Sequence, residues 1–240
     1  MVWMVRMMRT MPAGRGKERM QGEENSQEAQ MPKRKLKHRK QAAGKEETAM
    51  LAYKGFHGDL TCSKGKGIYQ YVPGIVLLEE KSKCTGTGFH CTENPLECFD
   101  WYPLGQGNRY FLVEAGGSLD EDGRDAKIAC TQIKLVKELS VYALVGHAMV
   151  YMVKHPLRPW EKSGHMLSVA RDKAEAKMPG AVAIARGECP KVKGENGAIL
   201  GLIKETGEGI VSAKLFTAGK EARPGVWYTL NGRELEEAAG

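Results

Sequence analysis

The sequence predicts an α+β fold: a mixed or antiparallel sheet with a few short helices, a β-rich C-terminal region behind it and a disordered basic tail ahead of it. Three observations carry the prediction. From Met50 onward, β-branched and aromatic runs alternate with Gly and Pro turns. One stretch, Asn94–Tyr102, has the chemistry of a helix start followed by a helix face. Residues 1–49 have no sustained apolar periodicity and carry twelve Lys/Arg against six Asp/Glu. The expected organisation is a tail over 1–49, an α+β domain over 50–156 and a small β-rich region over 157–240.

The elements follow in order. MLAYKGF (Met50–Phe56) reads as a short strand closed by a Gly-Asp turn. GIYQYVPGIVLLEE (Gly67–Glu80) is strand-like, with Pro73-Gly74 turning inside it. Lys81–Gly88 is a loop. In the block GFHCTENPLECFDWY (Gly88–Tyr102), Asn94 is the predicted N-cap and Pro95 the first helical residue. Leu96, Phe99 and Tyr102 then share one face, and Pro103 and Gly105 end the helix. Arg109–Ala115 is a predicted strand and Gly116–Asp125 an acidic loop. Ile128–Val136 and Leu139–Val145 read as strands, with a helix over Ala126–Ile133 as the alternative, and Gly146–Lys154 reads as a short helix stopped at His155-Pro156. Pro156–Lys162 reads as a linker. Two hairpins are predicted after it, one turning at Thr206–Gly209 and one at Asn231-Gly232.

Charge is unevenly spread. Of the net +7, the first 49 residues hold +6. The body is close to neutral, so nucleic-acid attraction falls to the tail run Lys33, Arg34, Lys35, Lys37, Arg39 and Lys40. Six cysteines without a secretory h-region suggest free thiols in a reducing cytoplasm. No apolar run is long enough to span a membrane. The change of character at Met50 also fits a translation start there.

The chemistry-bearing residues concentrate in Gly88–Tyr102. Cys84, His90, Cys91 and Cys98 offer soft ligands, but adjacent His90 and Cys91 diverge in a strand and no C-x2-C pair exists, so no metal site is predicted. Thiol catalysis would pair Cys91 or Cys98 with His57, His90 or His147, at a geometry that spacing does not define. Glu93 and Glu97 suit a helix start, where the dipole favours negative charge. No phosphate-cradling glycine motif is present.

Three segments taken together, MLAYKGF, GFHCTENPLECFDWY and AILGLIKETGEGIVSAKLFTAGKEARPGVWYTLNGRELEE, resemble the uncharacterised DUF7666 family of bacteriophages, prophages and related bacteria. The resemblance covers Met50–Glu237. The family itself carries no activity; the expectation is a phage- or prophage-type accessory or interaction protein with an unidentified protein partner and no demonstrable catalytic motif. The resemblance also implies an Ala/Ser/Gly-rich middle built as a short β-solenoid, of which Ser163–Gly197 keeps a trace.

The order of elements is also similar to ADP-ribosyltransferases, which is the alternative, enzymatic reading. There, Tyr53 and Gly55 would hold nicotinamide, His90 would follow on the next strand, and Glu138 would stabilise the oxocarbenium-like ribose. Lys54 stands where that order has Arg or His, and lysine lacks the planar fork. NAD is the cofactor only under this reading; otherwise none is expected.

Overall fold

The computed structural model describes residues 49–240 except 63–66, 85, 122, 124, 125 and 240. The basic run Lys33–Lys40 and all of the expected tail but Ala49 lie outside the described residues. The described chain belongs to one compact unit, residues 45–240.

The first half is an antiparallel ring of strands. Its long members are β1 (Met50–Phe56), β6 (Arg109–Glu121) and β7 (Lys127–Leu139). Shorter ones are β2 (Thr61–Cys62), β3 (Tyr69–Gln70), β4 (Val76–Leu78) and β5 (Phe89–Thr92). β1 pairs with β5 and β6, and β7 pairs with the same two, so β1, β5, β7 and β6 close on themselves. β4 adds to β7 beyond β5, and β2 and β3 form a separate hairpin. Alternation explains the interior. Ala52 and Phe56 of β1 meet Phe89, Cys91, Phe111, Val113, Ile128, Cys130 and Ile133 in one cluster.

Two expectations change here. The predicted acidic loop from Gly116 is strand as far as Glu121, with a register irregularity between Gly116 and Leu119. The predicted strand Leu139–Val145 ends at Leu139, and helix α2 (Val141–Lys154) starts at once. Ser140 causes the switch: its hydroxyl accepts from the Ala143 N–H and caps the helix. The other helical piece behaves as the sequence predicts. Asn94 caps a 3-10 turn, Pro95–Glu97, accepting from the Leu96 N–H at 3.2 Å, and α1 (Cys98–Trp101) follows.

The second half is a seven-stranded sheet. It comprises β8 (Lys162–Gly164), β9 (Leu167–Ala176), β10 (Val182–Gly194), β11 (Ile199–Thr206), β12 (Gly209–Thr217), β13 (Tyr228–Asn231) and β14 (Glu234–Glu237). β9, β10 and β11 are parallel and in sequence order, although only short connections join them. Val182 lies beside Leu167, and Ala176 lies beside Gly194. The chain therefore turns a corner within each strand and returns one level on. Asp172, at φ 58°, and the register shift between Arg186 and Lys191 mark those corners. The repeat is fifteen residues from Leu167 to Val182 and seventeen from Val182 to Ile199. Small residues fill the space between the faces of each coil, with Ala174, Ala176, Ala183, Ala185 and Ala198 all buried. Although Ser163–Gly197 departs from the family's repetitive Ala/Ser/Gly-rich middle, the parallel pairing of β9, β10 and β11 gives these strands the form of a short solenoid. Both hairpins form; in the second, Asn231 pairs with Glu234, so the turn residues are Gly232 and Arg233.

The two halves share a core. α2 turns Leu144, Val145, Ala148, Met149 and Met152 inward, one stripe at helical spacing. That stripe packs with Leu96, Phe99, Tyr102 and Tyr110 from the first half and with Val169, Val182, Ile184, Ile199 and Ile203 from the second. The described structure is 54% strand and 11% helix, so the balance expected of an α+β fold gives way to a mostly β one. Among the described residues no helix is long and apolar enough to cross a membrane.

Candidate functional site

The Gly88–Tyr102 block works mainly as a brace. Glu97 accepts from the Thr92 hydroxyl at 2.8 Å and from the Ala126 N–H at 3.3 Å, which ties α1 to the start of β7. The Tyr110 hydroxyl donates to the Tyr102 carbonyl at 2.6 Å. His90 is half-buried, its Nε2 is buried without a hydrogen-bond partner, and its pKa lies below the ordinary imidazole value through burial and the nearby Lys54 ammonium.

The Tyr53, His90 and Glu138 trio does not assemble. The Tyr53 hydroxyl is hydrogen-bonded to Nδ1 of His147 on α2 at 3.0 Å. Burial raises its pKa above the ordinary phenol value. Gly55 sits under Tyr102: a Cβ there would come 2.6 Å from the Tyr102 ring, so the position is filled by the protein itself. Tyr53 shares a row with Leu112 and Lys137, whereas Glu138 shares the next row with Lys54 and Phe111. Neighbouring rows face opposite sides of a sheet, so Tyr53 and Glu138 are on different faces. Glu138 is instead paired with Arg109 through two bonds of 2.7 and 2.6 Å. Lys54 is buried, donates to the His90 carbonyl at 2.6 Å, and lies over the rings of Phe56 and Tyr71.

The Arg109 bonds hold the Glu138 carboxyl below the usual carboxylate range. The depressed value means that the pair stabilises above the unfolded carboxylate pKa and loses that contribution as pH falls through the folded value. Both side chains are well exposed. Glu138→Gln should therefore cost less than about 1 kcal/mol in urea unfolding at neutral pH, with the difference vanishing in acid.

All six cysteines are free. Cys91 and Cys130 are buried partners on β5 and β7; the Cys91 hydrogen bond keeps the Cys130 pKa below the usual thiol value, while the same bond and burial push Cys91 up. Burial pushes Cys98 up to about 12. Only Cys189 is exposed. A thiol reagent should label one site quickly in the native protein and six in denaturant; fast labelling of Cys91 or Cys98 would contradict the packing. Among the described residues, no group of three or more His, Cys, Asp and Glu is placed to hold a metal.

A different region has the form of a binding site. β12 is the end strand of the second sheet, pairing only with β11. The Ala218 N–H bonds the Ala198 carbonyl. By alternation, Thr217, Leu215 and Ala213 turn their backbone groups to the free edge. Three of those groups are covered: the Glu221 carboxylate accepts from the Thr217 N–H at 2.9 Å, the Thr217 carbonyl accepts from the Lys220 and Glu221 N–H groups at 3.2 and 3.1 Å, and the Tyr142 hydroxyl donates to the Leu215 carbonyl at 3.2 Å. No bond within the described chain covers the Leu215 N–H or the N–H and carbonyl of Ala213.

The open stretch faces a groove. A cavity of about 280 Å³ runs between α2 and β12, lined by Gly146, Met149, Val150, Val153 and Lys154 on one side and Ala213, Lys214 and Leu215 on the other. Val150 is 51% exposed and Val153 38%. These valines form a second apolar stripe on α2, with Tyr142 and Gly146, outside the one buried in the core. Gly146 leaves the groove low: a Cβ there would stand 3.4 Å from Leu215. Sequence reasoning passed over this site. Its signal was available in VYALVGHAMVYMVK, which is apolar on more sides than one packed face needs.

The structure thus defines a class: a closed antiparallel ring joined through one helix to a short β-solenoid with an open edge. Residues 50–147 match the model of DUF7666, a domain of unknown function, and this segment is a DUF7666 domain. The matched segment takes in the ring and the first half of α2. No curated protein and no solved structure matches the chain.

Proposed function

We propose that this chain is an interaction protein, an accessory of phage or prophage type, that takes up an extended segment of a partner along β12. The observation that carries the reading is the open backbone of Ala213–Leu215 beside the apolar groove of α2. An unpaired edge offers main-chain hydrogen bonds to any extended chain, and a pocket beside it selects alternate side chains. The DUF7666 match over residues 50–147 supports a family context, and the phage and prophage setting is part of the proposal.

The test uses the full chain and a blocked heptapeptide alternating valine with threonine. Ala213→Pro removes an outward N–H and leaves the β11 ladder whole, so the fold tolerates it. The wild type should bind the peptide saturably, and Ala213→Pro should lose that binding at an unchanged unfolding midpoint. Equal binding by both chains would refute an edge-directed mode.

A further inference from the structure

The same groove carries information about what enters it. Its lining includes two lysines and no carboxylate. Lys154 ends α2 at one mouth of the cavity, in the last helical turn. Lys214 lies on β12 and pairs with Leu202, whose side chain belongs to the solenoid interior. It therefore stands on the opposite face of the edge from Ala213 and Leu215. Among the described residues its carboxylate partner is Glu234, at 3.8 Å and 87% exposed, and the ammonium also donates to the Arg233 carbonyl at 3.4 Å. A contact that long, to a side chain that exposed, is readily exchanged for a better-placed acid.

An extended chain beside β12 would present alternate residues to the two faces. Those on the α2 side would meet Val150, Val153 and Met149, all apolar. Those on the other side would meet Lys214, and a residue at the end of the α2 side would reach Lys154. The pattern matched by this edge is therefore apolar and acidic in alternation.

Resting on the reading of β12 as a docking edge, we infer that its partner is an acidic extended segment: a strand with aliphatic side chains toward α2 and carboxylates toward Lys214, with one further carboxylate at its end in reach of Lys154. Charge complementarity favours this occupant over a second copy of the chain. In a β12–β12 pairing, the lysines of one copy would approach those of the other, and like charges oppose such a contact. The edge is also guarded against indiscriminate pairing. Tyr142 and Glu221 cover two of its groups, and the irregularity opposite Lys204 and Glu205 distorts the strand near Val211. Only a short segment with suitable side chains gains enough contacts there.

The experiment compares three blocked heptapeptides by calorimetry with the full chain at low salt: valine alternating with glutamate, with threonine and with lysine. The glutamate peptide should bind about threefold tighter than the threonine one, as expected of one exposed ion pair with Lys214, and added salt should shrink the ratio. The double variant Lys154→Glu and Lys214→Glu should reverse the order in favour of the lysine peptide. Equal affinity for the three peptides would overturn the acidic partner and leave the docking edge standing. No binding of any peptide at millimolar concentration would overturn both. A wild-type chain that sediments as a dimer, and as a monomer once it carries Ala213→Pro, would assign the edge to a second copy and overturn the proposal.

Discussion

Gly88→Ala should destabilise the protein by about 2–4 kcal/mol, the combined cost of a left-handed backbone and an overpacked site. Gly88 has φ +88°, which a residue with a Cβ adopts only at a cost. The surroundings offer no relief. An added Cβ would come 2.8 Å from the Cys130 carbonyl oxygen, 3.0 Å from the Lys81 carbonyl oxygen and 3.0 Å from Cα of Ser82. All three are backbone atoms, and one belongs to β7, which pairs with both β5 and β6 in the ring. Gly88 leads directly into β5, so shifting it also moves Phe89 and Cys91 in the interior. Urea unfolding of the variant checks this; a loss under 1 kcal/mol would contradict the packing around β5.

Phe216→Ala should cost about 3–5 kcal/mol. Phe216 is fully buried in the solenoid, edge-on to Tyr228 at 6.0 Å between ring centres. The cluster it belongs to is largely alanines, which have no side-chain length with which to move into a cavity. The loss therefore falls at the upper end for a buried aromatic, and Phe216→Leu should recover most of it. Circular dichroism melts of both variants would show it. The groove test gains from this comparison, because Ala213→Pro on the same hairpin should leave the melt unchanged.

Legibility in the sequence varied with the range of the forces at work. Local chemistry was readable. Asn94 before Pro95 announced a cap, and the Thr206–Gly209 turn announced its hairpin, because both depend on a few adjacent residues. The ring was not readable. Its closure comes from β1 pairing with β5 across a single residue pair, Tyr53 and Thr92, and no periodicity encodes that meeting. The solenoid was half visible. Ala174, Ala176, Ala183 and Ala185 give no strand signal of their own, and their role is visible only once parallel coils bring them face to face. At Leu139–Val145 a β-branched run suggested strand, yet one hydroxyl at Ser140 turned the chain into α2.

The candidate site followed the same division. Reactive side chains in Gly88–Tyr102 drew the eye, but His90 and the cysteines are taken up by burial and neighbouring contacts, and Glu138 by Arg109. The groove has almost no reactive chemistry. It arises because α2 is apolar on two stripes and only one finds a partner, while β12 ends its sheet. Both features require the tertiary arrangement before they can be recognised.

Backbone amide exchange at Ala213 and Leu215 tests the central claim most directly. With the alternating valine–glutamate peptide bound to the full chain, both amides should exchange more slowly, while Phe216, already paired with β11, should be unchanged. Binding of the peptide with no added protection at Ala213 would contradict docking along β12.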